Sequence, residues 1–131
     1  MKRSLGFKTD TVLAELVYCE DDQVIESLRW DADRSLARDL LSKAESLLIK
    51  HKASFQDIHG IFILKGPGSF TGLRIGCSVA NTIAHTLDIP IVGSSGTQWV
   101  ELGLRRLLSN ENDELITPEY GAQPRITQPR K

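Results

Sequence analysis

The chain has 131 residues, of which 40% are apolar and 25% charged, with a formal net charge of −1 at pH 7. That length suits one domain burying roughly two-thirds of its unfolded surface, and the composition excludes a disordered or collagen-like chain. Near-neutral charge excludes long-range steering of the whole chain toward nucleic acid or an anionic membrane, and no apolar run is long enough to span a bilayer. The start, Met1-Lys2-Arg3-Ser4, leads into no signal-type apolar core, and Cys19 and Cys77 lie far apart without a Cys-x-x-Cys spacing. Two buried free thiols and a cytoplasmic location are expected.

In chain order, Arg3 to Lys8, Thr11 to Cys19 and Gln23 to Trp30 read as strands, with Val24, Ile25, Leu28 and Trp30 as the apolar members of the third. Connections this short predict an antiparallel meander. Leu36, Leu40, Leu41, Ala44, Leu47 and Leu48 then form an amphipathic stripe over about 34–52. Asp31 or Asp33 is expected at its N-cap, and Lys50, His51 and Lys52 complement its C-terminus. His51, His59 and His85 lack partners at ligand spacing and read as capping or surface residues.

Ile58 to Leu64 suits a buried strand, and it runs into Gly66-Pro67-Gly68-Ser69-Phe70-Thr71-Gly72-Leu73-Arg74-Ile75-Gly76, which turns into a helix from about Phe70 to Leu87. Strand, glycine-rich turn and helix N-terminus can present backbone N–H groups to an anion or a partner. The turn does not end in Gly-Lys-Ser/Thr, so it is not a Walker A loop, and its glycines miss the G-x-G-x-x-G spacing. Within the helix, Ile75, Val79 and Ile83 form an expected core row. Gly72, Gly76, Ala80 and Ala84 form a second row at i, i+4 spacing. Glycine costs up to about 1 kcal/mol relative to alanine inside a helix, so two of them need a packing reason. That reason is either the protein's own sheet or first helix, or a partner's helix.

Asp88 to Gly93 is a turn into a short buried strand, and Ser94-Ser95-Gly96-Thr97 is expected to cap a third helix, with Val100, Leu104, Leu107 and Leu108 inward and Arg105 and Arg106 outward. Residues 1–110 therefore read as one α/β domain, and 111–131, with three prolines and no periodicity, as an extended tail. The order predicts a mixed five-stranded sheet, a three-strand meander followed by βαβ units, with about three helices. A ribonuclease H-like topology, the half-domain of the actin-like ATPase fold, fits that order.

The stretch Gly66 to Gly76, continuing through Ala80 and Ala84 to Ile89-Pro90-Ile91-Val92-Gly93-Ser94-Ser95, resembles the TsaB (YeaZ) family, accessory subunits in bacterial synthesis of threonylcarbamoyladenosine on tRNA. Two departures stand out. Lys8 occupies the place of an aspartate in the family's first strand, and lysine cannot ligate Mg²⁺, which takes oxygen ligands. Members of the family resemble two tandem halves, whereas most of the second is missing here, and the stretch from Pro118-Glu119-Tyr120-Gly121 to Pro129-Arg130-Lys131 resembles the proline- and tyrosine-bearing end of full-length members, which suggests a compact version.

The resemblance implies a non-catalytic scaffold with no cofactor of its own. It would pair with a TsaD-like transferase, joined by a TsaE-like ATPase. ATP or ADP and metal would be handled by the assembled complex, and tRNA would be met only through it. The family's pairing surface implies an interface from the first two helices: Leu40, Ala44, Phe70, Gly72, Leu73, Arg74, Gly76, Ala80 and Ala84, with Gly66, Pro67, Gly68, Ser69 and Thr71 as the shaping turn. On that reading a bulky residue at Gly76 blocks association and leaves the fold largely intact. The alternatives are a small nucleotide- or anion-binding protein using the 66–76 turn, and a homodimer formed through the same helix pair.

Overall fold

In the computed structural model, which describes residues 1–120, strands β1 (Arg3–Lys8), β2 (Leu13–Glu20) and β3 (Gln23–Asp31) form the expected antiparallel meander. Asp21 takes the left-handed conformation at the β2–β3 turn (φ 54°), which aspartate tolerates better than most residues. Its carboxylate accepts the Lys2 amide at 2.9 Å. Strand β4 (Ile58–Leu64) adds parallel to β1, and β5 (Ile91–Ser94) adds parallel to β4, giving the order β3-β2-β1-β4-β5.

Period-2 alternation divides the sheet between two layers. Leu5, Phe7, Leu16, Tyr18, Ile61 and Ile63 pack under α1 (Leu36–Lys50) and α2 (Phe70–Leu87). Val17, Cys19, Phe62, Leu64 and Val92 pack on the other side under α3 (Trp99–Leu108). This is the mixed α/β architecture that the sequence predicts, with three α-helices.

Helix starts differ from expectation. A 3-10 turn over Asp33–Ser35 precedes α1, so the N-cap positions fall on Ala32 and Ser35 rather than on either aspartate, and no side chain caps them. Gln98, also without a capping side-chain bond, precedes α3. There Trp99 is buried while Leu108, expected inward, is exposed.

The segment after α3 departs most. Residues 111–120 have no helix or strand, yet they are packed as a strap against the domain. Ile116 is buried in the main core. Asn112 Oδ1 accepts the Ile91 amide at 3.1 Å, Asp113 Oδ2 accepts the Gly93 amide at 2.9 Å, and the Asp113 amide donates to Ile91 O at 2.8 Å. Side chains thus satisfy the outer edge of β5 where another strand would otherwise pair. Arg106 holds this arrangement, donating to Gly93 O at 2.8 Å and pairing with Asp113 and Glu111, so it is part-buried and not simply outward-facing. The packed domain runs past residue 110 because Ile116 completes its core. The remainder of the expected tail, 121–131, lies outside the described residues.

Candidate interaction site

The glycine-rich turn is shaped by two chain segments pressed against it. Gly66 has φ 134°, a conformation L side chains rarely adopt, and a Cβ there would collide with the carbonyl oxygen of Glu119 in the strap. The Glu119 amide donates to Lys65 O at 2.7 Å, which fixes that crossing. The Gly66–Pro67 peptide is cis. At Gly68 a Cβ would meet the backbone of Asp10, whose carbonyl accepts the Ser69 amide at 2.8 Å. Lys8 pairs with Asp10 at 2.8 Å, so the lysine at the end of β1 is engaged in holding this corner. Pro67, Ser69 and Thr71 are exposed on the turn's outer side.

Helix α2 turns its small-residue row inward. A Cβ on Gly72 would strike the carbonyl oxygen of Thr9, and one on Gly76 would strike the Thr9 hydroxyl. Ala80 and Ala84 are buried in the core. The backbone brought close by these residues is therefore the chain's own β1–β2 connection. Leu40, Ala44 and Leu73 are likewise buried, with 0% exposure each. Gly76, Ala80, Ala84, Leu40, Ala44 and Leu73 are thus not available to a partner, which corrects the expected interface. Conversely, Ile75 and Val79, expected as core, are half-buried at the margin. Among the expected contacts, Phe70 (56% exposed) and Arg74 remain at the surface, and Gly72 is half-buried.

Two grooves flank the exposed side of α2. One, of about 240 Å³, lies between α1 and α2 and is walled by Leu41, Phe55, Ile83 and Leu87, with Thr82 and Thr86 on its rim. Leu41 is 46% exposed there. The other, of about 650 Å³, lies between α2 and the strap, from Thr71, Arg74 and Ile75 across to Leu115, Pro118 and Tyr120. Phe70 stacks on Tyr120 with ring centroids 4.5 Å apart, and the Arg74 guanidinium sits 5.3 Å from the centre of the Phe70 ring. Asn81 fixes the strap: its Nδ2 donates to Ile116 O, and its Oδ1 accepts the Ile116 amide, both at 2.9 Å.

Leu41, expected in the stripe of the first helix, is exposed, Tyr120, expected in an extended tail, stacks on Phe70, and Asn81 and Ile116 carry no expected role. Asn81 carried a signal, because asparagine inside a helix is disfavoured unless it finds a specific bond. Ile116 is a lone aliphatic in a polar stretch and gave no periodicity to detect. His51 does not simply cap α1. It stacks on Tyr18 with centroids 4.9 Å apart and contacts Glu26 at 2.9 Å, while Lys50 meets the same carboxylate at 2.8 Å. Hydrogen bonds from Lys50 and then His51 lower the Glu26 pKa.

Burial pushes the Cys19 thiol up to about 12 and the Cys77 thiol to about 11, so both are unreactive packing residues at neutral pH. The Arg106 hydrogen bond lowers the Asp113 pKa. Among the described residues, no His, Cys, Asp and Glu side chains gather in a group able to hold a metal ion, and no helix is long and apolar enough to cross a membrane.

Comparison with known proteins finds TsaB proteins and the related TsaD transferases. A family model described as TsaD, tRNA N6-adenosine threonylcarbamoyltransferase, matches residues 30–106. The chain is 32% identical over 117 residues to the tRNA threonylcarbamoyladenosine biosynthesis protein TsaB of Bacillus subtilis, covering 88% of this chain and 43% of that one. It is also 39% identical over 49 residues to the tRNA N6-adenosine threonylcarbamoyltransferase of Syntrophotalea carbinolica, covering 37% of this chain and 14% of that one. Among solved structures, YeaZ from Pseudomonas aeruginosa superposes with a TM-score of 0.66 at 26% identity over 72% of this chain and 44% of that one. The chain thus spans less than half the length of these relatives.

Proposed function

The chain belongs to the TsaB (YeaZ) family and is related to proteins of tRNA threonylcarbamoyladenosine biosynthesis; from that premise we propose that it is a non-catalytic scaffold subunit pairing with a TsaD-like transferase. The observation that carries this reading is the exposed apolar surface of the α1–α2 layer. Leu41 stands 46% exposed over the groove it shares with Phe55, Ile83 and Leu87, and Phe70 stands 56% exposed at the start of α2. Phe70 begins α2 and Ile83 and Leu87 close it, so Phe70 is a separate exposed point, and the groove under Leu41 is the apolar surface of the kind that buries against another protein. The local similarity to a transferase supports a partner built on related helices.

The polar end of the sheet supports a scaffold more than a nucleotide enzyme. The β1 terminus carries the Lys8–Asp10 pair, whose ammonium cannot ligate a metal. The glycines of the 66–76 turn are accounted for by Glu119, Asp10 and Thr9 pressing on them. ATP, metal and a TsaE-like ATPase then act in the assembled complex, which is also where tRNA is met.

The test is reconstitution of tRNA threonylcarbamoylation by the source organism's transferase, with and without this chain, alongside a direct binding titration. The chain alone is expected to leave tRNA unmodified, and adding it to the transferase is expected to raise the modification rate. Leu41→Asp, at an exposed helix position, should weaken association about tenfold or more with little change in melting temperature. Wild-type chain that neither binds nor stimulates the transferase would refute the reading.

A further inference from the structure

The groove between α2 and the strap has a chemistry of its own. Its walls are mixed, with Ile75, Leu115, Pro118 and Tyr120 beside the uncharged polar Thr71, Ser78, Asn81 and Thr117, and Arg74 is the one charged residue among its described lining. Arg74 is exposed, has no hydrogen-bond or ion-pair partner among the described residues, and sits in the second turn-start of a helix whose first turn contains no acidic side chain. Arg74 follows the first turn of α2, and the electrostatic contact its own fold gives it is with the face of the Phe70 ring, which leaves its N–H groups without an acceptor among the described residues. The guanidinium is nevertheless oriented, because it lies 5.3 Å from the Phe70 ring centre while that ring is stacked on Tyr120. The far wall is held by the two Asn81 bonds to Ile116, so the groove is formed before anything enters it. A preformed groove lowers the ordering cost of binding.

Resting on the transferase-pairing reading above, we infer that this groove receives a segment of the partner protein that places an aspartate or glutamate carboxylate on Arg74, with apolar residues beside it against Ile75, Leu115 and Pro118. Charge complementarity selects this occupant. The groove offers one cation among apolar and uncharged polar side chains, which matches a single carboxylate on a protein segment. RNA affinity is built instead from several phosphate contacts, each neutralised by its own lysine or arginine. Arginine rather than lysine suits the site, since its planar fork can bind a carboxylate through two parallel bonds while its face stays on the Phe70 ring.

The test is calorimetric titration of the full chain with the purified transferase at two salt concentrations, using wild type, Arg74→Gln, Arg74→Lys and Arg74→Glu. Arg74→Gln is expected to weaken binding about tenfold to a hundredfold, Arg74→Glu by more, and Arg74→Lys by the least. The salt dependence of wild-type binding should diminish in Arg74→Gln, a change that loss of packing alone would not produce. Circular dichroism melts of all four should coincide, because Arg74 is at the surface. Asn81→Ala keeps the charge and frees the groove wall, and should also weaken binding. If wild type binds the transferase and Arg74→Glu binds it equally well, the inference is overturned, and it is equally overturned if the substitution instead weakens only binding to tRNA or to a second copy of this chain. Failure of wild type to bind at all would remove the pairing reading and this inference with it.

Discussion

The two faces of α2 carry similar short side chains for opposite reasons. On one face Gly72, Gly76, Ala80 and Ala84 let the Thr9 region and the sheet come within contact of the helix backbone. On the other, Thr71, Ser78 and Thr82 are short because they stand in solvent beside grooves, with Phe70 and Arg74 rising above them. A row of small residues at i, i+4 therefore reports that a backbone approaches closely. It does not report whose backbone it is. Here the answer is the chain's own, and the surface left for a partner is the face whose apolar residues are fewer and larger.

The largest test of that comparison is Gly76→Leu. A leucine there must displace Thr9, which is fully buried and tied to the β1–β2 connection, so destabilisation of about 3 kcal/mol or more is expected. In thermal unfolding that corresponds to a fall in Tm of roughly 12 °C for a domain of this size. If the variant melted with wild type and lost only its partner, the row would belong to an interface after all.

Most of the architecture was legible because it rests on strong periodic signals. The strands β1, β2 and β4 alternate or run apolar, and α1 and α2 carry stripes at helical spacing, so the sheet and its helix layers followed. The orientation of α2 was not legible, because both of its rows, Ile75-Val79-Ile83 and Gly72-Gly76-Ala80-Ala84, satisfy a packing pattern. Only the tertiary position of Thr9 decides between them. The strap was missed for a different reason. Its attachment depends on single residues, Asn112, Asp113 and Ile116, each meeting a group distant in sequence, and such contacts leave no period. Val24 and Ile25 show the reverse failure. They fit a strand pattern and lie in β3, yet they are 51% and 42% exposed because β3 is an edge strand, and Val24 meets α3 only across an open groove. At the candidate site the exposure of Phe70 and Arg74 agrees with the sequence. The stacking of Tyr120 on Phe70 and the Asn81 bonds to Ile116 leave no such mark in it.

A smaller effect is expected at the strap's anchor. Asn81→Leu removes both bonds to Ile116 and leaves that residue's amide and carbonyl without their partners, which should cost about 2 kcal/mol. Limited proteolysis should then cut within 111–120 faster than in wild type. A variant protected as well as wild type would mean the strap is held elsewhere. The outer face of α2 would then be lined by a segment that does not depend on it.

Asp113 tests the same strap through pH. Its carboxylate pKa is lowered chiefly by the Arg106 hydrogen bond, so the folded state holds the charged form more tightly than the unfolded state does. The stabilisation it gives is therefore present above the unfolded aspartate value of about 3.9, and is lost as pH falls through the lower folded value. Asp113→Asn should destabilise the protein by about 1 kcal/mol near neutral pH, the partly exposed ion pair being worth no more. Urea midpoints of variant and wild type should converge as the pH drops below about 4. A constant gap across that range would show that the carboxylate's charge contributes nothing.

The smallest effect is the counterpart of the first. Ser78→Leu introduces the same side chain as Gly76→Leu, two residues further along the same helix but on its exposed face. Ser78 contributes its carbonyl to a bond from the Thr82 hydroxyl, which the substitution leaves in place, and leucine is the better helix former. Stability should change by no more than about 0.5 kcal/mol. The side chain would nonetheless project into the groove between α2 and the strap, so association with the transferase should weaken while the melting curve stays put. Gly76→Leu and Ser78→Leu together separate the two faces: one substitution is read in folding and the other in binding. Were Ser78→Leu to unfold the protein as Gly76→Leu does, the helix would have to be turned about its axis from the position described, and the face proposed to meet a partner would be the buried one.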